Sequence, residues 1–80
     1  MKSQEAIVKR LMMLMASKKL NPNALANIAG MPISTIRNIL NGNSRATKIP
    51  TIKSLCDGLG ISLQEFFNDP IFEDLDQEIE

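Results

Sequence analysis

The sequence contains no histidine, tryptophan or tyrosine, and Cys56 is its single cysteine. One cysteine cannot form an internal disulfide, and a structural zinc site uses about four cysteine or histidine ligands. Without histidine there is also no recognisable set of side chains for acid–base or nucleophilic catalysis. We therefore expect a protein that is not an enzyme, binds no metal, cofactor or small-molecule substrate, and works in the reducing cytoplasm.

Long apolar runs are absent as well. The uninterrupted run near the N-terminus covers only residues 11–16, and basic residues lie on both sides of it. A membrane-spanning helix needs roughly 20 apolar residues, and a signal peptide needs a longer apolar stretch with a different charge pattern. The sequence therefore predicts no membrane segment and no signal peptide.

The charges are unevenly distributed along the 80 residues, although the formal net charge is zero. All nine basic residues lie before position 68, where only three acidic residues oppose them and leave a net charge of +6. The remaining residues, 68–80, carry six acidic residues and no basic one. This division predicts one domain over residues 1–67, which favours an anionic partner, and an acidic tail or short amphipathic helix over residues 68–80.

Apolar residues recur at helical spacing and strand signals are weak, so the fold is predicted to be all-α. Local signals mark the boundaries: Asn21 is a good N-cap, Pro22 suits the first helical position, and Gly30 permits the positive φ that ends a helix. Gly58 and Gly60 are interpreted as closing the fourth helix. The five predicted helices cover about residues 3–17, 22–29, 33–40 and 50–60, and a short stretch from 62 that includes Phe66 and Phe67.

The tail also has a helical pattern. Asp69 is a candidate cap, Pro70 suits the first position, and the apolar residues of the tail fall on one face. We expect a short sixth helix there, with Ile71, Phe72 and Leu75 covering an apolar face at residues 12–13, within one chain or across a dimer.

Two short helices joined by Gly30, Met31 and Pro32 form a helix-turn-helix unit, whose second helix can enter the major groove of DNA. Its core face is predicted to be Ile36, Ile39 and Leu40. The outward face then carries polar side chains that bond base edges: arginine bonds guanine, asparagine bonds adenine, and hydroxyls bond bases or phosphates. These outward residues are Ser34, Thr35, Arg37, Asn38 and Asn41, with Ile33 at the N-terminal end.

The sequence resembles the phage repressor and Cro type of helix-turn-helix domain, the xenobiotic-response-element family of bacterial and phage regulators. The resemblance covers about residues 7–67. The matching residues are Leu25-Ala26, Ala29-Gly30, Ser34-Thr35-Ile36, Ile39, Gly42, Leu55 and Leu59-Gly60-Ile61-Ser62-Leu63. It implies a compact five-helix repressor-like DNA-binding domain.

The resemblance also implies site residues. Positions matching Ile33, Ser34, Arg37 and Asn38 contact bases in family members, and the outward face adds Thr35. Phosphate contacts are implied at the start of the second helix and in the loop after the third helix. With the basic Lys48 included, the predicted phosphate contacts are Asn21, Asn23, Asn41, Asn43, Ser44, Arg45 and Lys48.

The function expected from these residues is that of a sequence-specific DNA-binding transcriptional regulator, a repressor, which binds double-stranded DNA as a homodimer and inserts residues 33–40 into the major groove. The alternative is a helix-turn-helix scaffold that acts as a protein-interaction module of the antitoxin or antirepressor type. A further hypothesis combines the two, with the acidic tail folded over the basic face until it is displaced.

The sequence departs from the family pattern at three places. Pro22 replaces a phosphate-binding glutamine, and Pro32 replaces the hydroxyl cap of the third helix. Met15 and Leu40 together replace an arginine and a glutamate that form an ion pair across the domain in many members. We interpret this last change as an apolar contact in place of a salt bridge.

This interpretation predicts the stability of two variants. Leu40→Glu alone should cost about 2 kcal/mol of unfolding free energy because it adds an unpaired charge beside the core. Met15→Arg/Leu40→Glu should recover about half of that loss in a thermal melt, because the two charges then pair. No recovery in the double variant would mean that the two side chains do not meet.

Overall fold

The computed structural model describes residues 1–79, and within them the secondary structure is entirely helical. The prediction of an all-α, five-helix domain is confirmed. The helices are α1 (Ser3–Ser17), α2 (Pro22–Ala29), α3 (Ile33–Leu40), α4 (Ile49–Leu59) and α5 (Leu63–Phe67), followed by a 3₁₀ helix at Pro70–Phe72. None of the helices in this part of the chain has the length and hydrophobicity needed to span a bilayer.

Most helix boundaries follow from the local signals in the sequence. Asn21 caps α2 by accepting a hydrogen bond from the Ala24 amide at 2.7 Å. Gly30 and Gly60 end α2 and α4 with φ of 66° and 74°, the left-handed conformation that glycine adopts without strain. Ser62 caps α5 by accepting from the Glu65 amide at 3.0 Å.

One apolar core joins all five helices. Its largest fully buried side chains are Leu11, Leu25, Ile36, Ile52, Leu55, Cys56 and Phe66. Met15 is also buried, at 7% exposure, and Leu40 is half-buried against the same core. The two residues that replace the family ion pair therefore both pack in or against the apolar core, while their direct contact stays a prediction.

Gly58 has a different role from the one that the sequence suggested. It lies inside α4 rather than at its end, and a Cβ atom built on it would lie 2.8 Å from the Ile28 carbonyl oxygen and 2.9 Å from the Cα of Ala29. The prediction that Gly58 helps to end α4 was wrong. Gly60 alone ends the helix, and Gly58 lets the backbones of α2 and α4 approach closely.

Arg10 joins the first helix to the last one. Its Nε donates to the Phe66 carbonyl oxygen at 2.7 Å, one terminal nitrogen donates to the Glu65 carbonyl oxygen at 3.0 Å, and the other lies 3.5 Å from the Asp69 carboxylate. Carbonyls at the end of a helix have no partner within that helix. The guanidinium therefore satisfies two of them and fixes the place where the tail begins.

The tail differs from the predicted sixth helix. Asp69 does cap, accepting from the Ile71 amide at 2.9 Å, and Pro70 does occupy the first position, but only a single 3₁₀ turn forms. Phe72 in this turn packs against Phe66 and Phe67, with ring centroids 6.2 Å and 5.0 Å away. Residues 73–79 continue in a non-helical conformation, so the prediction of a sixth amphipathic helix was wrong.

Residues 76–78 instead run beside the start of α1. The N-terminal ammonium lies 3.2 Å from the Asp76 carboxylate, and the Lys2 ammonium donates to the Gln77 carbonyl oxygen at 2.8 Å. Ser3 donates its amide to the Glu78 carboxylate at 3.3 Å. The pKa of Glu78 is lowered, chiefly by the Ser3 side chain and less by this amide. A carboxylate in this place also complements the positive end of the helix dipole.

These contacts correct two predictions about the tail. Met12 and Met13 are 52% and 41% exposed, so the tail of the same chain does not cover them. Outside the tail itself, the described polar contacts of residues 76–78 are with Met1, Lys2 and Ser3, so this part of the tail is not folded over the predicted DNA-binding residues.

The close approach at Gly58 predicts the sign of a substitution. Alanine usually stabilises a helix by about 1 kcal/mol relative to glycine, but Gly58→Ala should destabilise the domain by about 1–3 kcal/mol, because its methyl group meets the α2 backbone. Gly60→Asn is the control, since asparagine tolerates positive φ and nothing lies within 4 Å of the position. Chemical denaturation measures both, and a Gly58→Ala variant more stable than the wild type would contradict the packing argument.

Candidate nucleic-acid interface

The turn between α2 and α3 has the form that the sequence predicted. After Gly30, the Met31 amide donates to the Ala26 carbonyl oxygen at 3.0 Å, and this bond closes the end of α2. Pro32 is extended, with φ −60° and ψ 141°, and its carbonyl oxygen accepts from the Thr35 amide at 3.1 Å. The backbone of Pro32 therefore begins α3 although its side chain cannot cap.

The α3 helix has a buried face and an outward face. Ile36 and Ile39 are buried in the core, whereas Ser34, Arg37 and Asn38 are exposed. Because the buried isoleucines fix the rotation of the helix, the three polar side chains are presented to solvent together.

Thr35 and Ile33 lie between these two faces. Thr35 is half-buried and lines the cleft beside the loop that follows α3. Ile33 is half-buried and packs against the core.

The loop from Asn41 to Lys48 is attached to the end of α3. The Asn38 carbonyl oxygen accepts from the amides of Asn43 and Ser44 at 3.0 Å and 3.2 Å. Gly42, with φ of 76°, allows the chain to reverse there. The Ser44 hydroxyl donates to the Ala46 carbonyl oxygen at 3.3 Å, which ties the loop to itself.

The predicted phosphate-binding residues lie in two places. Asn41, Asn43, Arg45 and Lys48 are exposed in or at the end of this loop, and Ser44 is half-buried in it. Asn21 and Asn23 are exposed at the start of α2, where the Asn21 side-chain oxygen is already the helix cap and its amide nitrogen stays available.

A second attachment of the loop has no signal in the sequence. Gln4, in the first turn of α1, donates its amide nitrogen to the Thr47 hydroxyl at 2.7 Å, and its side-chain oxygen accepts from the Thr47 backbone amide at 2.7 Å. These two residues are 43 positions apart. We call this pair of hydrogen bonds the Gln4–Thr47 clamp.

A cleft of about 270 Å³ separates α3 from the loop and the start of α4. Its lining is rich in hydroxyl groups and includes one cation. The lining residues are Thr35, Asn38, Ile39, Ser44, Ala46, Thr47, Lys48 and Thr51.

The charges of this region are all of one sign. Residues 6–56 contain no aspartate or glutamate, so every charged side chain of α3 and the loop is basic, and α2 carries no charge. Among residues 1–79, the ion pairs of the structure use Lys9, Arg10, Lys53 and the N-terminal ammonium, and none uses Arg37, Arg45 or Lys48. These three cations can therefore meet an anionic ligand without first breaking a salt bridge.

A helix-turn-helix unit with a polar outward helix and an acid-free, basic loop defines a DNA-binding domain. A family model for the Cro/C1-type HTH DNA-binding domain matches residues 10–70, and the chain belongs to this family. This confirms the resemblance inferred from the sequence.

Among solved structures, the chain is similar to the one described as the crystal structure of the prophage Lp1 protein 11. The two chains are 34% identical, and the alignment covers 94% of this chain and 100% of the other, with a TM-score of 0.79. No curated protein matches the sequence.

Cys56 lies outside this interface. Its side chain is fully buried in the core, as the sequence predicted. Burial raises the pKa of its thiol above 9.0; Lys53 lowers the pKa, and Asp57 and Glu65 raise it. A buried, protonated thiol is a poor nucleophile.

The raised pKa predicts an alkaline loss of stability. The folded chain keeps the Cys56 proton to higher pH than the unfolded chain, so this contribution is present below pH 9.0 and is lost as the pH rises through the folded pKa. The stability advantage of the wild type over Cys56→Ala should therefore shrink as the pH rises above the ordinary thiol pKa of 9.0, as measured by urea unfolding over the alkaline range. An advantage that is constant over this range would contradict the prediction.

Proposed function

We propose that this DNA-binding regulator is a sequence-specific transcriptional repressor that inserts α3 into the major groove. The observation that carries the proposal is the outward face of α3, with Ser34, Arg37 and Asn38 exposed beside a loop that presents Arg45 and Lys48. The side chains on the helix have the donors and acceptors that distinguish base pairs.

The residues divide into two roles. Ile33, Ser34, Thr35, Arg37 and Asn38 contact base edges. Short amides, hydroxyls and cations at the start of α2 and in the loop grip phosphates, which sets the register of the protein on the duplex. The phosphate contacts are Asn21, Asn23, Asn41, Asn43, Ser44, Arg45 and Lys48.

A homodimer fits this proposal. An α3 helix of eight residues reads only a few base pairs, and a two-fold symmetric protein doubles its contacts on a palindromic site. As a DNA-binding protein, the chain acts in the cytoplasm, where bacterial and phage genomes are transcribed.

The location of the interface is tested by NMR titration of the labelled chain with a mixed-sequence duplex of about 20 base pairs, at low and at physiological salt. Amide shifts should concentrate at residues 21–23 and 33–48 and fade as salt rises. The reason is that contacts to phosphates, which any DNA sequence offers, are electrostatic and are screened by salt. Amides in these segments that do not shift at low salt would overturn the proposal.

Two variants separate base contacts from phosphate contacts. Lys48→Ala should weaken binding to all duplexes similarly and reduce the slope of log K against log salt by about 0.9, since one phosphate contact is lost. Arg37→Ala should cost about 1–3 kcal/mol on a duplex selected from a random pool, with a smaller loss on unselected DNA.

The matched control for these variants is Lys18→Ala, an exposed cation at the end of α1 that is outside the proposed interface. It should change affinity and salt slope far less than Lys48→Ala. Equal effects of Lys18→Ala and Lys48→Ala would indicate a diffuse charge effect rather than a defined contact.

A second candidate function, a protein-interaction module, is favoured by the exposure of Met12 and Met13. Met12 borders a cleft of about 370 Å³ that Val8 and Leu40 also line, between α1 and the loop after α3. Association through this apolar surface would respond little to salt, so the salt dependence of the NMR titration distinguishes the two functions.

A further inference from the structure

The Gln4–Thr47 clamp gives α1 a role that the helix-turn-helix unit alone does not contain. We infer that Gln4 is a positioning residue for DNA binding, which holds the phosphate-gripping loop in its binding conformation from outside the unit. This inference rests on the function proposed above and adds one residue to its machinery.

The first step is the geometry of the clamp. Both hydrogen bonds are 2.7 Å long and part-buried, and they connect one side-chain amide to the hydroxyl and the backbone amide of one residue. Two bonds fix both the position and the orientation of Thr47, because a single bond would still allow rotation about it. Partial burial also makes loss of the partner costly for the groups that remain.

The second step is the position of Thr47 in the loop. On the α3 side, the loop is anchored by the Asn38 carbonyl oxygen, which accepts from Asn43 and Ser44. On the α4 side, Thr47 directly precedes Lys48, the N-cap residue of α4. The clamp thus supplies the second anchor of the segment that contains Arg45, and it fixes the residue beside Lys48.

The third step is the rigidity of the turn that carries Gln4. Residues on either side of it are held: Met1, Lys2 and Ser3 bond to residues 76–78, and Ala6 is completely buried. Gln4 is therefore attached to a fixed support and can restrain the loop, instead of moving with it.

The consequence is pre-organisation of the phosphate contacts. A loop without regular secondary structure must lose conformational freedom when its side chains bind phosphates, and this loss weakens binding. The clamp removes part of that freedom before DNA arrives. Gln4 does not itself touch the nucleic acid in this inference.

The test compares Gln4→Ala with the wild-type full chain in anisotropy titrations of a labelled 20-base-pair mixed-sequence duplex at low salt, after circular dichroism has shown that the variant is folded. We expect Gln4→Ala to bind about 3- to 10-fold more weakly, since two hydrogen bonds that order the loop are lost. Amide hydrogen exchange at Thr47 should become faster in the same variant, while exchange of the core amides stays unchanged. A general loss of stability would instead speed exchange at the core amides as well.

The matched control is Gln64→Ala, because Gln64 is an exposed glutamine on α5 whose side chain has no hydrogen bond among the described contacts. It should leave both affinity and Thr47 exchange unchanged. Thr47→Ser keeps the hydroxyl and should bind like the wild type, whereas Thr47→Val loses it and should bind more weakly. In the Thr47→Val background, Gln4→Ala should cost less affinity than in the wild type, because the two residues act through one contact.

Two failures are distinguishable. If the wild type binds the duplex and Gln4→Ala binds equally well, or if Thr47 exchange does not change, the positioning role of Gln4 is overturned and the proposed function stands. If the wild type does not bind the duplex at low salt, the proposed function fails, and the role of Gln4 in DNA binding is overturned with it.

Discussion

The contact between the backbones of α2 and α4 at Gly58 is the constraint on which the arrangement of the domain depends. An added Cβ atom there would lie within 3 Å of the α2 backbone, a distance at which only glycine fits. The α2 helix therefore packs closely on α4. The tight turn after Gly30 then sets the direction of α3 relative to α2. Ile36 and Ile39 complete the placement by entering the same core. The orientation of the outward face of α3 follows from the packing of α2 on α4.

Around this packed centre, polar contacts determine where the irregular segments lie. Arg10 holds the end of α5 and the start of the tail through two carbonyl oxygens and Asp69. Gln4, on the same helix, holds the loop after α3. The α1 helix is thus more than a layer of the core, since its polar side chains hold both the loop after α3 and the start of the tail. Arg37, Arg45 and Lys48 are unpaired with described carboxylates, and Asp76 and Glu78 of the tail bond to the start of α1.

Features encoded by neighbouring residues could be predicted from the sequence. The bounds of α1, α2 and α3, the caps at Asn21 and Ser62, and the exposure of Arg37 and Asn38 follow from caps, glycine turns and helical spacing. The family could be recognised from the order of these helices and turns along the chain. The base and phosphate contacts themselves stay predictions, because exposure alone does not show which ligand a side chain meets.

Features that depend on distant partners could not be predicted. Gly58 looks like a helix terminator because Gly60 is close by, and only the tertiary contact with Ile28 and Ala29 explains it. No local sequence pattern near Gln4 or Thr47 predicts hydrogen bonds between residues 43 positions apart. The tail has helical periodicity, but a short helix is marginal without packing, and residues 76–78 form hydrogen bonds and an ion pair with the start of α1 instead.

The separation of α3 into two faces has a consequence for how such a regulator diverges. Ser34, Arg37 and Asn38 take no part in the buried core. Substitutions at exposed positions of this kind usually change the free energy of unfolding by less than about 0.5 kcal/mol. Under the proposed function, selection on mutations at these positions acts through the DNA sequence that is recognised and hardly through folding. If these residues contact bases as proposed, copies of one scaffold can diverge in the DNA that they recognise while they stay equally stable, and related genomes that share a cell can each keep a regulator that does not bind the sites of the other.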